Sequence, residues 1–133
     1  QECIVCGQTG ASIRCCQVDC THVFHLPCAE KGGCITQYYG WYRSFCWQHR
    51  PGQPVDADPE AGTICLFCLD PVESRKSFTT LVCPVCTHAW FHRACIQRHA
   101  ACIGMTTFGC PLCRDRERFR TEMLRMGISI PSR

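Results

Sequence analysis

The chain has 133 residues, of which 16 are Cys and six are His, and a formal net charge of +3. So high a thiol content excludes an ordinary apolar core and leaves two readings, a disulfide scaffold or a zinc protein. No apolar run of about 18 residues and no apolar signal segment at the start is present, so neither a membrane span nor an oxidising compartment is expected.

Residues 1–50 hold four ligand pairs: Cys3 with Cys6, Cys15 with Cys20, His25 with Cys28, and Cys46 with His49. A two-residue gap lets both side chains of a pair reach one tetrahedral zinc ion from a tight turn, at about 2.3 Å for sulfur and about 2.0–2.1 Å for nitrogen. Disulfide frameworks have no need of C-x-x-C followed by H-x-x-C, so the spacing selects zinc. Cys15 and Cys16 are adjacent and either can lead the second pair, with Cys15 preferred. His22 reads as a packed or exposed side chain. Cys34, in a loop with no partner at ligand spacing, reads as a structural thiol. The segment from Cys34 to Tyr42 is rich in strand formers and reads as a short strand or hairpin, its aromatics filling the core of the small module.

Residues 51–64 carry three Pro, two Gly and the acids Asp56, Asp58 and Glu60, the composition of an extended linker. Residues 65–113 repeat the plan of the first module: Cys65 with Cys68, Cys83 with Cys86, His92 with Cys95, and Cys110 with Cys113. The Phe before the His recurs too, at Phe24 and Phe91. An alternative ligand set drops Cys83 and uses Cys86, His88, His92 and Cys95. A strand is expected near Phe78–Cys83, and a short helix from Arg93 to Met105 that carries His99 and Cys102 as non-ligands and is broken by Gly104. Residues 114–126 read as a longer helix, with Phe119, Met123 and Met126 on one stripe and Gly127 as its cap. Its basic balance allows an acidic or nucleic-acid partner, against the simpler reading of a helix packed on the second module.

Each module is too short to bury a stable core unaided, and about 10–16 kcal/mol of binding energy per structural zinc stands in for one. Four Zn2+ ions are expected. Full ligation leaves no open coordination position for zinc hydrolysis, and no covalent catalytic nucleophile is identified.

Eight-ligand modules of this kind resemble PHD and RING fingers. The order of a finger ending in C-x-x-H, an acidic linker, a finger with A-W-F-H-R-A-C-I-Q-R, and then E-M-L-R-M-G-I-S-I-P (Glu122 to Pro131) resembles the family of PHD finger protein 7 and the G2/M-phase-specific ubiquitin ligase. The resemblance implies a small zinc-stabilised α+β fold of two tandem cross-brace fingers, with little regular secondary structure and a C-terminal helix. Residues 1–50 correspond to the distal half of an extended PHD, 65–113 to a RING- or PHD-like finger, and 114–133 to a helix and tail. It further implies interleaved sites: Cys3, Cys6, His25 and Cys28; Cys15, Cys20, Cys46 and His49; Cys65, Cys68, His92 and Cys95; Cys83, Cys86, Cys110 and Cys113.

Of function, the resemblance implies a chromatin-associated, nuclear RING-type ubiquitin ligase. It would hold a ubiquitin-charged conjugating enzyme toward a protein substrate, histone by family, with Phe67, Pro111 and Arg114 as its contacts. Many RINGs carry Trp where this chain has His99, which keeps open the alternative of a non-catalytic zinc-finger adaptor or reader. Reader PHDs place Trp where this chain has Ser44, so methyl-lysine recognition by the first module is not expected.

Overall fold

The structure is a computed structural model, and it describes residues 1–132. The chain divides into two compact units, Gln1–Gly52 and Gln53–Arg133.

Regular structure in the first unit is minimal because metal ligands take up so many positions. β1 (Ile13–Arg14) pairs antiparallel with β2 (Val23–Phe24), and β3 (Ile35–Thr36) with β4 (Ser44–Phe45). A short 3-10 turn at Leu26–Cys28 carries the last residue of the His25 pair. The core is mostly thiol: Cys3, Cys15, Cys20, Cys34 and Cys46 are buried with Val23 and Phe24. The expected packing of the hairpin aromatics fails here. Tyr38, Tyr39, Trp41, Tyr42 and Trp47 are all exposed, Trp41 to 86%. Strands of two residues have too little inner face for large rings, and Ile35 with the cysteines already fills the interior.

In the second unit β5 (Thr80–Val82) pairs antiparallel with β6 (Trp90–His92), in the register Leu81 opposite Phe91. All of β5 is buried. The Gln53 side chain extends this sheet: its amide donates to Thr80 O at 2.9 Å and accepts from Val82 N–H at 2.9 Å. α1 (Arg93–Ile103) follows β6 without a break, and Gly104 at φ 76° ends it by donating to Ala100 O.

α2 (Glu117–Arg125) starts three residues later than the sequence suggests, its first turn held by Asp115 Oδ2 accepting from Phe119 N–H at 3.0 Å. Phe119, Met123 and Met126 are buried, as a single apolar stripe demands. The helix ends in a Schellman motif. Ile128 N–H donates to Met123 O, Gly127 N–H donates to Leu124 O, and Gly127 sits at φ 92°. The accompanying apolar contact pair, Ile128 and Met123, is almost fully buried.

The tail then runs along α1. The Gln97 amide bonds both ways to Ser129, donating to its O at 2.8 Å and accepting from its N–H at 2.9 Å, and Met105 N–H donates to Pro131 O. Buried Arg93 locks the assembly by donating to Phe78 O and to Met126 O at the C-terminal end of α2, with its guanidinium 4.0 Å from the Phe78 ring centre. A cation at a helix C-terminus meets carbonyls that have no intrahelical donor.

Candidate metal centres and the adjoining groove

Four segments share one local design. In each, the first Cys accepts at its carbonyl oxygen from the N–H four residues on: Gly7 to Cys3, Leu69 to Cys65, Thr87 to Cys83, and Arg114 to Cys110. Those four donors all lie in left-handed backbone, at φ 78°, 66°, 62° and 66°. The turn also aims N–H groups at sulfur: Val5 to Cys3, Phe67 to Cys65, Val85 to Cys83 and Leu112 to Cys110, each at 3.4 Å. The two-residue ligand gap thus produces a small N–H cradle that stabilises a thiolate.

Together with the other ligand pairs the chain forms four tetrads: Cys3, Cys6, His25, Cys28; Cys15, Cys20, Cys46, His49; Cys65, Cys68, His92, Cys95; and Cys83, Cys86, Cys110, Cys113, the last using two of these turns and the second none. Within each, the ligand atoms all lie within 4.8 Å of one another. First and third pairs share a centre, as do second and fourth, so each module is cross-braced. A zinc tetrahedron built from standard bond lengths has S···S edges of about 3.8 Å and S···N edges of about 3.5 Å. Cys20–Cys46 and Cys83–Cys113 stand at 3.9 Å and Cys86–Cys110 at 4.0 Å. His Nδ1 lies 3.3 Å from Cys68 and from Cys46, and 3.4 Å from Cys6. None of the 16 cysteines is in a disulfide.

The imidazoles are oriented for metal. His25 Nε2 lies 2.9 Å from Thr9 O and His92 Nε2 3.1 Å from Pro71 O, so in each ring the Nε2 proton bonds a carbonyl and Nδ1 is left as the ligand. These carbonyls have no sequence signature, being backbone. Three centres offer three thiols and one imidazole, and the last offers four thiols. That donor set fits structural Zn2+, and the chain holds four such ions.

The thiols are poised unequally. Burial would push Cys3 up, but the backbone N–H groups of Cys6, His25 and Val5 hold it down at about 6. Cys65 has the same balance, with Cys68, His92 and Phe67, and lies at about 7. Burial pushes Cys28 up to about 11 and Cys95 up to about 12, reinforced by neighbouring thiols. In the first and third centres one thiol is thus prepared to be a thiolate, and the ion's charge must take the proton from the raised one.

The ambiguous residues fall on definite sides. Cys15 faces the second tetrad, while Cys16 is exposed and its Sγ accepts from Ser44 N–H at 3.4 Å. Cys83 is in the fourth tetrad and His88 is exposed outside it. Cys34 is buried against the Gly32 carbonyl, and Cys102 is exposed on α1.

Beside the third tetrad, the Phe67 ring stacks on His99, with centroids 4.8 Å apart and planes at 37°. Phe67 also meets Phe91 edge-on, Phe91 meets Phe119, and Phe119 meets Phe108, so an aromatic chain runs from the surface into the core under α2. His99 borders two shallow grooves. One, of about 320 Å³, is lined by Phe67, Arg98 and Cys102, and the other, of about 380 Å³, by Ile103, Pro111, Arg114 and Arg116. No carboxylate lines either. Burial lowers the His99 pKa, so the ring is neutral at pH 7. Phe67, Pro111 and Arg114 therefore lie along one surface, with the neutral His99 at its middle.

Residues 1–50 match the family described as a PHD-like zinc-binding domain. The first module is thus similar to PHD-like zinc-binding domains. Over 99% of its length the chain is 41% identical to a human protein named G2/M phase-specific E3 ubiquitin-protein ligase, of which it covers 19%. The Pineapple eye protein of Drosophila melanogaster is 25% identical over the whole chain, which covers 23% of it. Human Histone-lysine N-methyltransferase 2D is 27% identical over 86% of the chain, which covers 2% of that protein. The chain therefore spans about a fifth of the length of the first two relatives. Its PHD-like finger, its second cross-braced finger and its docked tail are one continuous block of similarity to the ligase.

Proposed function

We propose that the chain is the zinc-finger portion of a RING-type ubiquitin-protein ligase. Its second module would bind a ubiquitin-charged conjugating enzyme along the Phe67–His99–Pro111 surface. The observation that carries this reading is the surface itself. A side chain from between the first two ligands and one from between the last two border grooves that meet at His99, and exposed apolar residues Leu66 and Leu112 flank them. The rate gain would come from holding the thioester in a reactive pose, with no nucleophile supplied by the chain. Arg114 carries a planar, five-donor guanidinium able to bond carbonyls of enzyme and ubiquitin together.

The name of the ligase relative and its 41% identity support ubiquitin transfer. The PHD-like first module and the similarity to a protein named for histone-lysine methylation support a chromatin setting, a histone substrate and a nuclear location. The second reading, a non-catalytic adaptor, is favoured by the ligand set of the second module, one three-thiol, one-imidazole centre followed by one all-thiol centre. It is favoured too by His99 in a position where many RINGs have Trp.

The test is a reconstituted assay with zinc-loaded chain, activating enzyme, ATP, ubiquitin and a panel of conjugating enzymes. Conjugates are expected with at least one of them. Phe67→Ala and Arg114→Ala should lower the rate by roughly 10- to 100-fold, the scale of a misplaced reacting group. A panel without any conjugates selects the adaptor.

A further inference from the structure

The β3–β4 hairpin of the first module is unused by the metal centres except at its base, and it is the most aromatic surface on the chain. Tyr38, Tyr39, Trp41, Tyr42 and Trp47 are exposed, with Trp41 at 86% and Tyr42 at 62%. A small module rarely leaves this much ring area in water without a ligand.

The hairpin is rigidly mounted. Gln37 N–H donates to Arg43 O, Thr36 and Ser44 hydroxyls meet across the strands at 3.1 Å, and Tyr42 N–H donates to Tyr39 O to close the tip. Its base is held by ligand Cys46 and by Cys16, whose N–H donates to Ser44 O while its Sγ accepts from Ser44 N–H. Tyr42 is kept at φ 52°, a conformation bulky residues avoid, although its side chain is mostly in solvent. The turn that closes the hairpin tip, in which Tyr42 N–H donates to Tyr39 O, sets that conformation and leaves the ring in solvent.

Charge decides what the rings face. From Lys31 to Val55 the sequence contains no Asp or Glu, while Lys31 and Arg43 are exposed cations, with Glu30 the one acid beside Lys31. A cage for a lysine-like cation would gather carboxylates around its rings; here the local charge is positive. The partner that fits is an anion with π faces of its own.

We propose that this hairpin is a stacking platform for single-stranded nucleic acid, in which Trp41 and Tyr42 stack on unpaired bases and Arg43 and Lys31 contact phosphates. Stacking of this kind accepts any base, and a duplex hides the base faces it needs. The residues belong to the first module and the Phe67–Pro111 surface to the second, so the proposal stands or falls independently of ligase activity.

The experiment titrates zinc-loaded full chain into fluorescein-labelled single-stranded oligothymidylate and its duplex at low salt, reading anisotropy and quenching of Trp emission. Binding to the single strand with quenching is expected. Trp41→Ala and Tyr42→Ala should each weaken it by at least about fivefold. Arg43→Gln should flatten the salt dependence, whose log–log slope should be near 1–2 for two phosphate contacts at about 0.7 each. Native mass spectrometry showing four zinc ions in every variant separates lost contacts from lost folding. Any of four results overturns the proposal: no binding, preference for the duplex, binding unchanged by Trp41→Ala and Tyr42→Ala, or binding that Arg118→Ala removes while the hairpin variants keep it. Preferential capture of a lysine-rich histone peptide by the same rings would equally overturn it.

Discussion

Cys15 and Cys16 are neighbours, yet only Cys15 faces metal. Its Sγ stands 3.6 Å from His49 Nδ1, whereas Cys16 accepts a backbone N–H from Ser44. Native mass spectrometry should therefore find Cys15→Ser with one zinc fewer and Cys16→Ser with all four. The same contrast applies to Cys83→Ser, which should lose an ion, and His88→Gln, which should lose none. Ligand chemistry was legible in the sequence because it resides in side-chain type and spacing. The choice between adjacent thiols was not, because one backbone step rotates which of them points inward. Arg93 is a second residue the sequence does not disclose. Nothing in its place at the start of a short helix marks it, yet it is buried between Phe78 O and Met126 O.

Elements carry a different lesson. The four ligand turns need left-handed backbone at the fourth residue after the first Cys, and only one of them has Gly there, Gly7; the others use Leu69, Thr87 and Arg114. A left-handed non-Gly residue costs about 1–2 kcal/mol, and Gly loses about 0.5–1 kcal/mol of that advantage through unfolded-state entropy. Thr87→Gly, at an exposed site, should then stabilise the zinc-loaded chain by about 0.5–1 kcal/mol, seen as a higher melting temperature. The reverse change at the end of α2, Gly127→Ala at φ 92°, should lower it by the same margin, about 0.5–1 kcal/mol. Ile128→Ala, which empties the apolar partner of the Schellman turn, should cost more, about 2–5 kcal/mol. α2 could be read from its 3.6-residue stripe. The β3–β4 hairpin could be read as a strand pair but not by its faces, since two residues per strand give no alternation to read. The docking of Gln53 on β5 and of Gln97 on Ser129 was invisible, because an amide that pairs with backbone leaves no pattern in composition.

At the scale of the whole molecule, the two units differ in what holds them. In Gln1–Gly52 half of the buried core cluster, Cys3, Cys15, Cys20 and Cys46, consists of metal ligands, so losing metal also loosens the core. Gln53–Arg133 adds a true apolar layer, with Leu81, Phe91, Ile96, Phe108, Phe119 and Ile128 all at or near zero exposure. Domains of this size rarely exceed about 3–5 kcal/mol of stability from a core alone, whereas each structural zinc brings about 10–16 kcal/mol of apparent binding energy. Chelation should therefore unfold both units but not equally. Stepwise addition of a zinc chelator, followed by two-dimensional NMR of amide signals, should collapse the resonances of Gln1–Gly52 first and completely. Those of α1 and α2 should broaden while far-UV circular dichroism retains part of the helical signal, the mark of a compact state that has lost fixed packing. Zinc added back should restore both sets together with four-ion stoichiometry. Amide dispersion that survives in the first unit with no metal bound would mean that its thiols serve as an ordinary buried core, and the four-zinc account of the fold would be wrong.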